Sequence, residues 1–397
     1  MVLLLLYILI IILIRKELRL CNFKERFYFF VCTFLSCILA IIYRTYLINS
    51  GIEYGLANLD MQYYMSLAEQ IQDMSISGGF AAISAHWNFA NANFLQIWGY
   101  RFYIYFLTYS VFKWSFLPVV TSVYLVSIWQ LLLASYSVLK IYNTLKDRFI
   151  RFKYMSLLLM LTAPPIWYAC VRLLRESFML LLIALLLSVV CKKSHAWIFK
   201  SIILLLFLTV FRPYYAVFMI PLLLILNDKT KLAFAIEGGL FIVLAVLAIL
   251  RGVNPIDIVG VVLSPNFFNQ VKNIILDLST IYEVSNEIPA LTFIGSVWNI
   301  IMLYYAAISL FFNRRISMIC WCCIGIILDI CIIYGIAFAG ATELRHKMFF
   351  VLPFILILNM GALGQMEVNQ RQTAIIVSAF ALVVLLVGYS LIVCMLL

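Results

Sequence analysis

The residues most able to do chemistry in this chain are one acid and a scatter of cations set among apolar runs. Asp60 opens the stretch Asp60-Met61-Gln62-Tyr63-Tyr64-Met65-Ser66-Leu67-Ala68-Glu69-Gln70-Ile71. A positioned carboxylate can take a proton from an attacking hydroxyl. The plainer role for Asp60 is an N-cap or first-turn acid favoured by the helix dipole. Arg172-Leu173-Leu174-Arg175-Glu176 lies between two apolar runs, and on a helix arginines three apart share a face. Two forked, permanently charged donors suit a phosphate. Glu176 can orient them or act as an independent acid, and the plainer role of the group is an ion pair at a tight helical hairpin. Arg212-Pro213 closes one apolar run, and Glu343-Leu344-Arg345-His346-Lys347 precedes another. Snorkelling at helix ends would explain either one alone. Gathered at one face, Asp60, Arg172, Arg175, Arg212, Arg345, His346 and Lys347 form an acid among cations, the pattern wanted for a reaction on an anionic lipid headgroup.

What must position these groups is a membrane-embedded bundle. Of 397 residues, 66% are hydrophobic and only 11% charged, against roughly 25% charged in a soluble domain. That composition excludes a soluble globular protein and a disordered one, and no alternating pattern of an outer-membrane barrel is present. The expected fold is all-α: a single polytopic transmembrane domain over 1–397. About 12 spans of helical length are read, near 2–14, 27–48, 117–139, 154–171, 177–190, 198–211, 214–226, 232–250, 291–312, 316–338, 348–364 and 373–395. The loop 49–116 is expected outside the membrane, with amphipathic and re-entrant segments, and 251–290 is a second outer loop. The apolar run from Phe102 stops at Lys113 and is too short to span, so 101–116 reads as re-entrant or interfacial. This arrangement puts the basic stretches 15–26, 140–153, 191–200, 227–231, 313–315 and 365–372 on the cytoplasmic side, and both termini outside. Along 60–74, Tyr64, Leu67, Ile71 and Met74 share one helical face opposite Gln62, Ser66, Glu69 and Asp73. This is an amphipathic helix able to lie on a membrane surface.

The net charge of +11 therefore reads as membrane anchoring; nucleic acid is not an expected partner. The ten cysteines sit in or beside apolar runs and read as small buried hydrophobes. The Cys320–Cys323 cluster has no flanking ligand at metal spacing, and His86, His195 and His346 are scattered, so no metal and no cofactor are expected. Asp329 stands alone in a span, as an ion-path residue or a structural hydrogen-bonding group. The apolar run 2–14 is followed by Arg15, Lys16 and Arg19, the reverse of a signal peptide's polarity.

The order of these features resembles the GT-C superfamily of membrane glycosyltransferases. Asp60, Tyr63 and Leu67-Ala68 are similar to that family's acid, Tyr and Leu-Ala pair in the first outer loop. A Gly-Tyr-x-x-Tyr segment at Gly99, Tyr100 and Tyr103 leads through a long helix towards Lys146. Ala163-Pro164-Pro165 with Glu176 resembles the family's proline-containing span and downstream Glu. Leu208-Thr209-Val210-Phe211-Arg212-Pro213 resembles its span closing on Arg-Pro, and Arg345 to Pro353 its late Arg before a Pro-containing span. The paired acids of many members are absent, since Met61 follows Asp60, and so is the large soluble C-terminal domain of some. In length and composition the chain also looks like bacterial O-antigen and capsule repeat-unit polymerases.

The resemblance implies a multi-pass bacterial inner-membrane glycosyltransferase acting at the periplasmic face on an undecaprenyl-(di)phosphate-linked glycan. Asp60 would be its base; Arg172, Arg175, Arg212, Arg345, His346 and Lys347 would bind phosphate. Tyr63, Glu176 and Glu343 would support them. The expected partners are the lipid-linked glycan, the bilayer and other members of a polysaccharide assembly complex. A transferase of single sugars and a lipid-linked glycan transporter are the alternatives.

Overall fold

The computed structural model describes residues 2–55, 59–85, 94–113, 116–149, 152–193, 196–227, 304–310, 318–337 and 348–361, with short runs elsewhere after 228. Every regular element among them is helical. The helices are α1 (Val2–Leu18), α2 (Phe23–Asn49), α3 (Leu59–Gln70), α4 (Ile76–Ala85), α5 (Phe94–Leu107), α6 (Val119–Leu145), α7 (Lys153–Leu161), α8 (Pro164–Val171), α9 (Glu176–Lys192), α10 (Trp197–Phe211), α11 (Pro213–Leu226), α12 (Met318–Ala337) and α13 (Val351–Met360). Three stretches are long and apolar enough to cross a membrane: α2, α6, and α7 with α8 taken together. The chain is thus an all-helical protein with membrane-spanning potential. Of the other expected spans, α1, α9, α10, α11 and α13 are shorter helices and α12 has 20 residues, while most of 232–250, 291–312 and 373–395 lies outside the described residues.

Sequence explains the local breaks. The tandem Pro164-Pro165 occupies the first positions of α8, where the missing N–H groups cost nothing. It therefore divides the expected span 154–171 into α7 and α8. Asn22 and Glu25 close a reciprocal capping box that starts α2. The segment expected to be re-entrant is helical as far as Lys113, α5 passing directly into a π-helical turn over Thr108–Lys113.

Packing is organised on α6, which lies against α1, α2, α8 and α9. Its neighbours carry two polar layers. One joins Glu17 to Lys140 at 2.9 Å, Glu25 to Lys153 at 2.8 Å and Glu25 to Tyr142 at 2.7 Å. The other gathers around Arg44, Arg172, Arg175, Glu176 and Arg212. At 1.5 Å per residue the layers are about 28 Å apart along α2, from Glu25 to Arg44, and about 20 Å along α6, from Lys140 to Ser127. The longer figure is close to the ~30 Å hydrocarbon core of a bilayer. Between them the interior is apolar, and the outward faces of α1 and α2 are apolar too, with Leu4, Ile8, Ile12, Phe27, Phe30 and Phe34 exposed. Such a surface suits lipid and not water.

The amphipathic pattern of 60–74 is present but its apolar face is not free. Tyr64, Leu67 and Ile71 are buried, Gln62, Ser66 and Glu69 exposed. The buried side packs on α5, where Tyr64 meets Tyr100 and Tyr103 edge-on or tilted with ring centroids 5.9 Å apart. The expectation of a helix resting on the membrane surface is corrected here, because aromatic side chains of α5 cover that face. Met74, placed on the same face by periodicity, falls past the helix end and is exposed.

Candidate functional site: a buried arginine–tyrosine cluster

The site is built on the turn between α8 and α9. Leu174 N donates to Ala169 O at 2.9 Å and Leu173 N to Cys170 O at 3.1 Å, the paired bonds of a Schellman end. Its left-handed position, usually glycine, holds Leu173 at φ 54°, which costs an L-residue about 1–2 kcal/mol. The leucine side chain offsets this by being fully buried, in a cluster with Met61, Tyr64, Leu67 and Tyr103. The turn carbonyls are capped from outside: Tyr103 OH donates to Leu173 O, and Arg44 Nη2 to Val171 O. Gln130 Nε2 supports Tyr103 OH at 3.0 Å.

This turn separates the two arginines. Arg172 ends α8 and Arg175 begins α9, so the expectation that they share one helical face does not hold. Arg172 lies over the Tyr168 ring, 4.3 Å from its centroid, and donates to Tyr43 OH at 3.3 Å. Arg175 lies over the Tyr100 ring at 4.0 Å and donates to its hydroxyl at 3.0 Å. Stacking on an aromatic face and donating from the edge is what a planar guanidinium does and a lysine does not. Glu176 pairs instead with Arg212, at 3.1 Å, joining the start of α9 to the junction of α10 and α11. The aromatic side chains Phe102, Phe178 and Phe211 close around that pair, with Phe178 and Phe211 stacked. α5 meets the end of α10 at Gly99, whose missing Cβ would collide with the backbone of Val210.

All four charged side chains are buried, at 3%, 4%, 1% and 8% exposure for Arg172, Arg175, Glu176 and Arg212. The geometry is therefore internal, not a ring of cations spread on a surface. Its hydrogen-bonding capacity is not exhausted: Arg175 Nη1, Glu176 Oε2, Ser177 Oγ and Gln130 Oε1 are buried with no hydrogen-bond partner among the described residues. Buried donors and acceptors of this kind are few in folded proteins and costly, and here they sit on or beside one turn.

Arg44 was not among the residues singled out by sequence, yet it is the most buried cation among the described residues, at 1% exposure. Nη1 donates to Tyr54 O at 2.8 Å, Nη2 to Ser127 Oγ at 2.6 Å and to Val171 O. It thus ties α2, the helical turn Glu53–Gly55, α6 and α8 together. Gly55 makes this possible: its φ is +64°, and a Cβ there would stand 2.8 Å from Arg44 Cγ. The available signal was the intramembrane charge itself, Ile41-Ile42-Tyr43-Arg44-Thr45 within an apolar run.

Of the remaining expected residues, Asp60 lies in the first turn of α3, one turn before Tyr64, and its side chain is outside the described residues. Tyr63 is half-buried on α3, and burial raises its phenol above the ordinary value, so it stays neutral. Glu343, Arg345, His346 and Lys347 lie outside the described residues, as do His86 and His195. The backbone of Asp329 belongs to α12; its side chain is likewise outside. Cys320, Cys322 and Cys323 are buried, and among the described residues no three His, Cys, Asp or Glu side chains gather as metal ligands. The chain matches no protein-family model, no curated protein and no solved structure.

Proposed function

We propose that this chain is a membrane glycosyltransferase using an undecaprenyl-(di)phosphate-linked sugar at the periplasmic face of a bacterial inner membrane, most concretely an O-antigen or capsule repeat-unit polymerase. The observation that carries the proposal is the buried cluster of Arg172, Arg175, Glu176 and Arg212 beneath α3, the helix that bears Asp60. Charges so far from water are expensive and are kept where they work.

In this mechanism an acceptor hydroxyl attacks C1 of the lipid-linked sugar. The C1–O bond to the (di)phosphate breaks with its electron pair, and the hydroxyl proton passes to Asp60. The leaving group gains charge as it departs, and Arg175, with an uncommitted Nη1, and Arg172 stabilise that charge in a medium of low dielectric. Glu176 holds Arg212 in place. A single displacement inverts the anomeric centre. The apolar surfaces beside the cluster receive the polyprenyl chain, and Arg345, His346 and Lys347 extend the anion site.

The test is an activity assay on the purified full chain in liposomes containing a synthetic undecaprenyl-diphosphate oligosaccharide, read as a ladder of extended chains. Asp60→Ala and Arg175→Gln are each expected to lower product by at least about 100-fold while the protein still inserts. A ladder of undiminished intensity from Asp60→Ala removes the base assignment. Addition of one sugar with no ladder selects the single-sugar transferase. Labelled lipid crossing the bilayer without any bond formed selects the transporter.

A further inference from the structure

At the opposite polar layer, α1 and α2 enclose a groove of about 610 Å³ that opens sideways. Its walls are apolar, made chiefly by Ile11, Ile14, Leu18, Phe29, Phe30 and Phe34, and its end at the α1–α2 turn carries Arg15, Arg19 and Arg26. We propose that this groove binds one anionic phospholipid, with the phosphate held by the arginines and an acyl chain laid between the helices. The proposal needs the chain to be in a membrane but not to be a transferase.

Three observations carry it. The first is charge complementarity. Both acids of α1 and α2 are turned inward, Glu17 onto Lys140 and Glu25 onto Lys153, and the exposed Asp147, near Lys153, lies outside the groove lining. Arg15, Arg19 and Arg26 are exposed, and among the described residues none forms an ion pair. Arg26 stands in the first turn of α2, where the helix dipole disfavours a cation that lacks an anion. Its Nε is fixed by Leu18 O at 3.0 Å, which holds the guanidinium at the groove mouth. The second is length. From Arg26 to Cys37, which also lines the groove, α2 rises about 16 Å, close to the roughly 15 Å depth of one leaflet's hydrocarbon. The third is a polar group in the wall. Thr33 Oγ1 lines the groove, is buried, and has no hydrogen-bond partner among the described residues. It can donate to a lipid ester carbonyl. A free phosphate would use the arginines alone; the apolar wall and the threonine call for the tail as well.

The experiment uses the purified full chain and native mass spectrometry after exchange into detergent with dioleoyl-phosphatidylglycerol or dioleoyl-phosphatidylcholine. One retained phosphatidylglycerol and no retained phosphatidylcholine are expected, with inorganic phosphate unable to displace the lipid. Arg15→Ala/Arg19→Ala is expected to lower retention at least about 10-fold. Lys16→Ala/Lys24→Ala removes equal charge from the same turn outside the groove lining and is expected to leave retention unchanged. Ile11→Trp, a change at an exposed position of α1, fills the groove with every charge in place and is expected to abolish retention. Equal losses from the arginine and lysine pairs would mean diffuse surface attraction and would overturn the site. So would full retention in Ile11→Trp, or equal binding of the two lipids by the unaltered protein, a measurement that needs no variant to fold.

Discussion

Replacing Arg44 by methionine removes a side chain that ties α2 to three other parts of the bundle. The cost can be worked from its bonds. Val171 O loses its donor in a buried site and Tyr54 O in a half-buried one, and a buried carbonyl left without a partner costs about 1–3 kcal/mol. Ser127 Oγ keeps its bond to Val123 O at 3.0 Å and adds little. Against these losses stands the relief of no longer burying a charge. A net destabilisation of about 3 kcal/mol follows, or on the order of 6 °C in Tm at roughly 2 °C per kcal/mol for a long chain. Arg44→Lys gives a second point. One ammonium cannot serve both the Nη1 partners and the Nη2 partners, so it recovers the charge but only one side of the network, and its loss is about half as large. The assay is thermal unfolding of detergent-purified protein, followed by fluorescence-detected size exclusion. If Arg44→Met melts within about 1 °C of the unaltered protein, the claim that Arg44 ties the turn together is refuted. If lysine proves worse than methionine, the reasoning from hydrogen-bond geometry fails and charge burial dominates.

Glu176→Gln and Arg212→Met each strand a buried charge and are expected to cost about 3–5 kcal/mol, with the double variant costing clearly less than the sum; additive losses in a thermal double-mutant cycle would show that the two do not interact. Leu173→Gly relieves the left-handed backbone but empties a fully buried site, so a net loss of about 2 kcal/mol is expected, and a gain in Tm would mean that strain outweighs packing there. Burial works against the Glu17 carboxylate, past the apolar run 2–14, but Lys140 and Asn143 outweigh it and hold its pKa below the ordinary value. Its contribution to stability is therefore present above the ordinary carboxylate pKa and lost as pH falls through the lowered one. Melting curves from about pH 7 to about pH 3 should show that loss, and Lys140→Met should diminish it.

The sequence was informative wherever a pattern was local. Hydropathy located α1, α2, α9, α10 and α11 to within a few residues, and α6 at its start but not its end, because a long apolar run bounded by polar residues has few alternatives to a helix. The α3 periodicity named its buried side correctly, but no local pattern can say what covers a face, and α5 covered this one. Arg172, Arg175, Glu176 and Arg212 stood out as charges in apolar surroundings; Glu176 and Arg212 meet as an ion pair, while Arg172 and Arg175 each lie on a tyrosine ring. Their pairing was not legible. It depends on a left-handed leucine that breaks the helix between the arginines, on a contact between α9 and α10, and on Tyr100 arriving from α5. Arg44 escaped notice for a related reason. A lone arginine in a span looks like any snorkelling residue until the carbonyls it caps are in view.

Those carbonyls bear on how the protein is made. Val171, which Arg44 caps, lies 127 residues downstream of it. At about 5–20 residues per second, roughly 6–25 s separate the synthesis of the cation from that of its acceptor. During that interval Arg44, about 8 Å from the C-terminal end of α2, has Tyr54 O within its reach along the chain but lacks its acceptor on α8. That distance is within reach of the headgroups for an extended arginine. The bonds of Arg44 to Ser127 and Val171 therefore form only once α6 and α8 have been made, and the turn between α8 and α9 is the last part of this network to be synthesised.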